Sequence, residues 1–173
     1  MYAFYKTRGL DISLAFYNVL QKYGLETIEK STSKLPIIVE SFELDSLKRF
    51  AEFSDLPLVY LMFWDNPLMT YNITEVAPFV HGVGPKTDWI FLYKNDQWNA
   101  TSPSIFVEEA HSLDLAVHPY TQQDDMPRWG KTPLDEHEIF INKKVDGLFT
   151  EFPHTTKAAF QFYKSNNTFP AGF

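Results

Sequence analysis

Short runs of β-branched and aromatic residues alternate with stretches whose apolar residues recur at three- and four-residue spacing, which predicts strands separated by helices along most of the chain. The first helix is expected over residues 11–23. Ile12, Phe16, Val19, Leu20 and Tyr23 share a face there, Asp11 can cap the start, and Gly24 suits the left-handed position past the end. A strand over 36–42 precedes a helix marked by Leu44, Leu47, Phe50 and Ala51, and a second apolar strand follows over 58–62. A shorter strand is expected over 79–83, then a long excursion over 86–103 containing the turn-like Asn95-Asp96, and a helix over 104–113. The last two units are the clearest. Strand 115–121 leads to Thr132-Pro133-Leu134-Asp135, which joins an N-cap threonine, a proline at the first helical position and an acid three residues after the cap. That helix runs to Lys143-Lys144, whose charges suit its negative end, before a strand over 145–150 and a closing helix over 155–164.

Five apolar strands joined by helical crossovers imply an α/β fold with a parallel sheet covered by helices, because parallel neighbours need connections of that length. A small doubly wound sheet would satisfy this pattern. The polar or aromatic residues at the strand ends instead resemble the working face of a (β/α)8 barrel, of which the chain would hold only a part.

The composition fits one globular domain: 173 residues, 45% of them hydrophobic. The absence of cysteine excludes disulfides, thiolate metal sites and a cysteine nucleophile. With 15 Lys+Arg against 22 Asp+Glu and no basic run, a nucleic-acid surface has little electrostatic support. No apolar stretch approaches the roughly 20 residues of a membrane span. The first residues carry no export-signal pattern, yet sequons at Asn72, Asn99 and Asn166 lean weakly towards secretion and otherwise leave localisation open.

In such a fold the chemistry gathers at the C-terminal strand ends, here Glu40-Ser41-Phe42, Gly84-Pro85, His118-Pro119-Tyr120-Thr121 and Thr150-Glu151-Phe152-Pro153. Each has a plain alternative: His118 as a hydrogen-bonded strand histidine, Tyr120 and Phe42 as core packing. Glu108 and His111 have metal-site spacing on a helix, but one such pair reads as a solvated face. Asp124-Asp125 reads as a polar loop before it reads as a cation site. The chain has neither a phosphate-cradling glycine loop nor a G-x-S-x-G elbow.

Taken in order, Ile38-Val39-Glu40-Ser41-Phe42 with Leu47-Lys48-Arg49, Gly82-Val83-Gly84-Pro85, Ala110-His111-Ser112-Leu113 leading to Val117-His118-Pro119-Tyr120-Thr121, and Val145 to Pro153 resemble the glycerophosphodiester phosphodiesterase family. The His-Pro-Tyr-Thr points to its periplasmic-type branch. The resemblance covers residues 9 to 156 and implies a partial (β/α)8 TIM barrel, strands four to eight of the family domain. The whole chain, residues 1–173, would then be a single incomplete domain. It further implies hydrolysis of glycerophosphodiesters to glycerol 3-phosphate and an alcohol, in lipid and glycerol metabolism, with Ca2+ or Mg2+ in the complete enzyme. The family's His-Arg-Gly, Glu-x-Asp, second catalytic His and Glu-x-Lys belong to the first three strands and are missing here. The resemblance therefore assigns this chain no catalytic residue, no metal ligand and no cofactor, and it is expected to be inactive alone.

What remains by resemblance are walls of the substrate pocket: Phe42, His118, Tyr120 and Thr121. Two positions depart from the family pattern, Gln123 where relatives often carry Arg or Asn and Glu151 in place of the commoner Asp. The first puts a polar contact on the phosphate side in question. The expected partner is the glycerophosphodiester substrate of the complete enzyme, with self-association through exposed strand edges. The competing readings are a catalytically dead barrel fragment acting as a binding or interaction module, and a half-enzyme completed by another chain.

Overall fold

The computed structural model describes residues 1–63, 73–92 and 104–165. The sequon asparagines and the Asn95-Asp96 turn lie outside them. The described residues fall into two compact units, the first holding Met1–Met62 and residues 73–83, the second Phe63, residues 84–92 and residues 104–165.

The first unit opens on α1 (Tyr2–Lys6) and α2 (Ile12–Tyr23). Both ends of α2 follow from local chemistry: the Asp11 carboxylate accepts from the Leu14 amide at 3.0 Å, and Gly24 takes the left-handed conformation at φ 64°. The short α3 (Ile28–Thr32), capped by Thr27, was not evident from periodicity because five residues carry too little of it. Next come β1 (Val39–Ser41), α4 (Leu44–Ala51) and β2 (Leu58–Leu61), with β1 and β2 parallel and Val39 opposite Leu58. Leu47 and Phe50 of α4 are almost fully buried. Where α2 meets α4 the Ser13 hydroxyl lies 3.0 Å from the Ser46 carbonyl, a small polar pair that lets two helices approach closely. The apolar face expected of α2 is only partly covered, since Leu20 is buried while Val19 and Tyr23 are more than half exposed.

The strand expected at 79–83 begins later. Residues Ala77–Phe79 form a 3-10 turn around Pro78, and β3 is Gly82–Gly84. Proline has no amide to donate to a ladder, so the pairing starts beyond it. His81 makes the junction: its amide donates to the Leu58 carbonyl at 2.8 Å, and its Nδ1 accepts from the Leu58 amide at 3.1 Å. In the first unit β1 and β2 form a parallel pair, and β3 carries the chain into the second unit.

The second unit contains α5 (Thr87–Leu92), α6 (Ile105–His111), β4 (Ala116–Val117), α7 (Pro133–Asn142) and α8 (Pro153–Ser165). The expected excursion over 86–103 is therefore corrected at its start, where α5 forms. Trp89, Ile90 and Phe91 are all buried, and a helix buried on several sides has no polar face to reveal its period. At α7 the capping box is present in full: Thr132 Oγ1 accepts from the Asp135 amide at 3.2 Å and Asp135 accepts from the Thr132 amide at 3.1 Å. Lys143, whose charge suits the negative helix end, is completely buried, with Nζ 5.6 Å from the centre of the Phe91 ring.

Strand 115–121 shortens to β4 because Pro119 interrupts its ladder. Pairing resumes at Tyr120, whose amide donates to the Pro85 carbonyl at 2.9 Å and whose carbonyl accepts from the Thr87 amide at 2.9 Å. The fifth strand is not regular. Residues 145–150 run beside β4 through Asp146 to Val117, Phe149 to Pro119 and Gln122 to Phe149 bonds, with one parallel bridge between Gln122 and Thr150. Gly147 marks the irregularity, since a Cβ there would stand 2.9 Å from the His118 ring.

Candidate functional site

The loops beyond β3 and β4 enclose a cavity of about 550 Å³ within the second unit. Lys86 and Thr87 reach it from the end of β3, Tyr120 to Gln123 from the end of β4, Arg128 and Trp129 from the following loop, and Glu151 from the last strand-like segment. Parallel strands deliver their loops to one face, which brings residues far apart in sequence to one place.

Its charged groups form two linked sets. Asp88, mostly buried, binds Lys86 Nζ at 2.9 Å through one oxygen and Arg128 Nη2 at 2.6 Å through the other. Glu136, buried in α7, accepts from the Arg128 and Trp129 amides at 2.8 and 2.9 Å. On the β4 side the Gln122 side chain donates to Asp124 at 2.9 Å and accepts from the Thr150 hydroxyl at 2.8 Å. Thr150 in turn meets Thr156 at 3.0 Å, and Thr156 meets the buried His137 at 2.9 Å. Every buried polar group of this row has a hydrogen-bond partner, which makes the wall rigid.

Tyr120 and Thr121 line the cavity together, with Gln123 and Glu151. His118 is not among the lining residues. Its ring faces Gly147 and meets the Phe149 ring edge-on, with centroids 6.3 Å apart. Burial pushes its pKa below the usual histidine value, opposed by the nearby Asp146 carboxylate. Phe42 follows β1 in the first unit and is 42% exposed. In the same unit, burial raises the pKa of Glu40.

The depressed value at His118 has a consequence for folding. The unfolded chain binds the proton near pH 6.5 while the folded chain binds it only at lower pH. Stability from the neutral ring is fully present above the unfolded value and is lost as pH falls through the folded one. Melting temperatures of the chain and of His118→Gln, compared from about pH 5 to about pH 7.5, should show a steeper rise for the unsubstituted chain. Parallel curves would refute this.

Sequence reasoning did not single out Lys86, Asp88, Arg128, Trp129 or Glu136. Lys86 directly follows the Gly84-Pro85 strand end, and Glu136 adjoins the capping box, so both positions carried a local signal. The Arg128–Asp88 pair spans 40 residues and carried none. Glu108 is exposed, while His111 pairs with Asp146 at 2.8 Å, and the same carboxylate oxygen accepts from the Val117 amide at 2.7 Å. That histidine braces the start of β4.

Family resemblance implies a divalent cation. Among the described residues no three His, Asp or Glu side chains converge closely enough to hold a metal ion. Asp88 and Glu136, the buried acids of the cavity region, are already engaged by cations and amides. These residues do not form a cation site, and no chemical step is derived through one.

The family model that matches is the glycerophosphoryl diester phosphodiesterase family, over residues 6–155. A glycerophosphodiester phosphodiesterase of Arabidopsis thaliana is 31% identical over 156 residues, which cover 79% of this chain and 41% of that protein. One from Haemophilus influenzae is 26% identical over 186 residues, covering 88% of this chain and 48% of its own length. The chain thus spans less than half the length of these curated relatives. A crystal structure from Silicibacter pomeroyi, of a protein assigned as a glycerophosphoryl diester phosphodiesterase, superposes with a TM-score of 0.58 at 22% identity. It covers 88% of this chain and 44% of that one, and the likeness supports the fold.

Proposed function

The chain belongs to the glycerophosphoryl diester phosphodiesterase family, and we propose that it forms the substrate-wall part of a domain that hydrolyses glycerophosphodiesters to glycerol 3-phosphate and an alcohol. The observation that carries this reading is the cavity at the ends of β3 and β4, where Tyr120 and Thr121 stand beside Lys86 and Arg128. An aromatic ring and a hydroxyl suit a glycerol moiety. Two cations suit the phosphodiester charge.

Cleavage needs in addition a general base for water and a general acid for the leaving alcohol. His118, the histidine at the end of β4, is held against Gly147 and Phe149 outside the cavity lining. We therefore propose that the 173-residue chain binds this class of substrate but does not turn it over by itself, the acid, base and cation being supplied by family motifs its sequence does not contain. The Ca2+ or Mg2+ of the complete enzyme belongs with those motifs.

Purified chain incubated with glycerophosphocholine, with and without Ca2+ or Mg2+, should release no glycerol 3-phosphate above a protein-free control. Turnover that survives purification and disappears in His118→Ala would overturn the reading and make His118 the acid–base group.

A further inference from the structure

Glu136 has a geometry that helix stability alone does not require. An acid in the first turns of a helix is favoured by the macrodipole, yet it ordinarily points into water. Here the side chain is buried and reaches back over the helix start to a loop seven and eight residues earlier, where one oxygen accepts from the Arg128 amide at 2.8 Å and the Trp129 amide at 2.9 Å. A buried carboxylate persists only when such bonds replace its hydration. The adjoining residues are pinned independently. The Trp129 ring stacks on Phe91 with centroids 4.2 Å apart, and Gly130 lies so close to α7 that a Cβ would stand 2.4 Å from the Glu136 amide nitrogen.

Three successive loop residues are thus fixed, and the first is Arg128. Its side chain is about half exposed at the cavity while one nitrogen is ion-paired with Asp88 at 2.6 Å. Asp88 is shared with Lys86, so one carboxylate faces both cations. Of the other acids close by, Glu136 is committed to the two amides and Asp124 to Gln122, while Glu151 lines the cavity as an exposed group. A guanidinium presents five donors in a fixed fork, so an ion pair to Asp88 through one nitrogen leaves donors for a second anion.

We propose that Glu136 is a positioning residue that sets Arg128 as the phosphate-contacting cation of this cavity. The ligand it fits is a phosphate ester carrying a small polyol. The identity of that ester rests on the functional reading above, whereas the clamp on the loop rests on the geometry alone.

The test uses the full 173-residue chain, titrated with glycerol 3-phosphate and, as a neutral control, glycerol, and followed by the indole and amide resonances of Trp129. Saturable binding is expected for glycerol 3-phosphate and none for glycerol. Arg128→Gln should weaken it by about tenfold or more, the scale of one charge-assisted hydrogen bond. Glu136→Ala should weaken it comparably, Glu136→Gln, which keeps an accepting oxygen, by less than about threefold, and the double variant Arg128→Gln with Glu136→Ala no further than Arg128→Gln alone. Hydrogen exchange of the Arg128 and Trp129 amides in the unsubstituted chain, expected to be slow, tests the clamp even where Glu136→Ala does not fold. Unprotected amides, an affinity unchanged in Arg128→Gln or in folded Glu136→Ala, or no binding up to about 10 mM would overturn the proposal. Binding that needs Arg128 but is not displaced by glycerophosphocholine would uphold the clamp and count against the phosphodiesterase reading.

Discussion

Gly130→Ala is expected to lower the unfolding free energy by roughly 2–4 kcal/mol, through overpacking and the loss of hydrogen bonds to a buried acid. The added methyl would meet the Glu136 amide nitrogen at 2.4 Å and its Cα at 2.8 Å. Both atoms belong to the backbone of α7, which is fixed by its own hydrogen bonds and by a complete capping box. The helix cannot yield, so the loop must lift. Lifting it withdraws the Arg128 and Trp129 amides from Glu136 and slides the Trp129 ring off Phe91, leaving a buried carboxylate without its donors. For a chain of this size the melting temperature should fall by about 5 to 15 °C. Thermal unfolding followed by circular dichroism decides it, and a change within about 1 °C would mean that the loop moves without penalty.

Tyr120→Ala should act on catalysis. In a complete family-length domain carrying this sequence, kcat/KM for a glycerophosphodiester should fall by about tenfold or more, near 1.4 kcal/mol of transition-state stabilisation, while the melting temperature changes little. Tyr120 lines the cavity, and its backbone is held on both sides by bonds to Pro85 and Thr87 that the substitution leaves intact. What is lost is a wall for the polyol. Retained efficiency with a lowered melting temperature would show that the ring serves packing.

Much of the architecture was legible before any coordinates because it depends on neighbours in sequence. Asp11 and Gly24 bound α2, Thr132 and Asp135 start α7, and the spacing of Leu44, Leu47, Phe50 and Ala51 marks α4; each is a contact across three or four residues that the chain makes wherever it folds. The order of strands and helices likewise implies parallel pairing, since a crossover of that length permits little else. The motifs at the strand ends carried the family, and two of the four named wall residues, Tyr120 and Thr121, line the cavity.

Tertiary structure decided the rest. Helix α5 is invisible as a pattern because Trp89, Ile90 and Phe91 are all buried, and residues 145–150 lose regular strand form where Gly147 passes close to His118. Which way His118 faces, which acid Arg128 binds and why Glu136 is buried depend on residues brought together from separate loops. The sequence by itself determined the longer helices, the alternation of strands and helices and the family, through short-range bonds and periodicity. Only folding determined the chemistry of the cavity, because its charges are paired across distances at which the sequence carries no periodic signal.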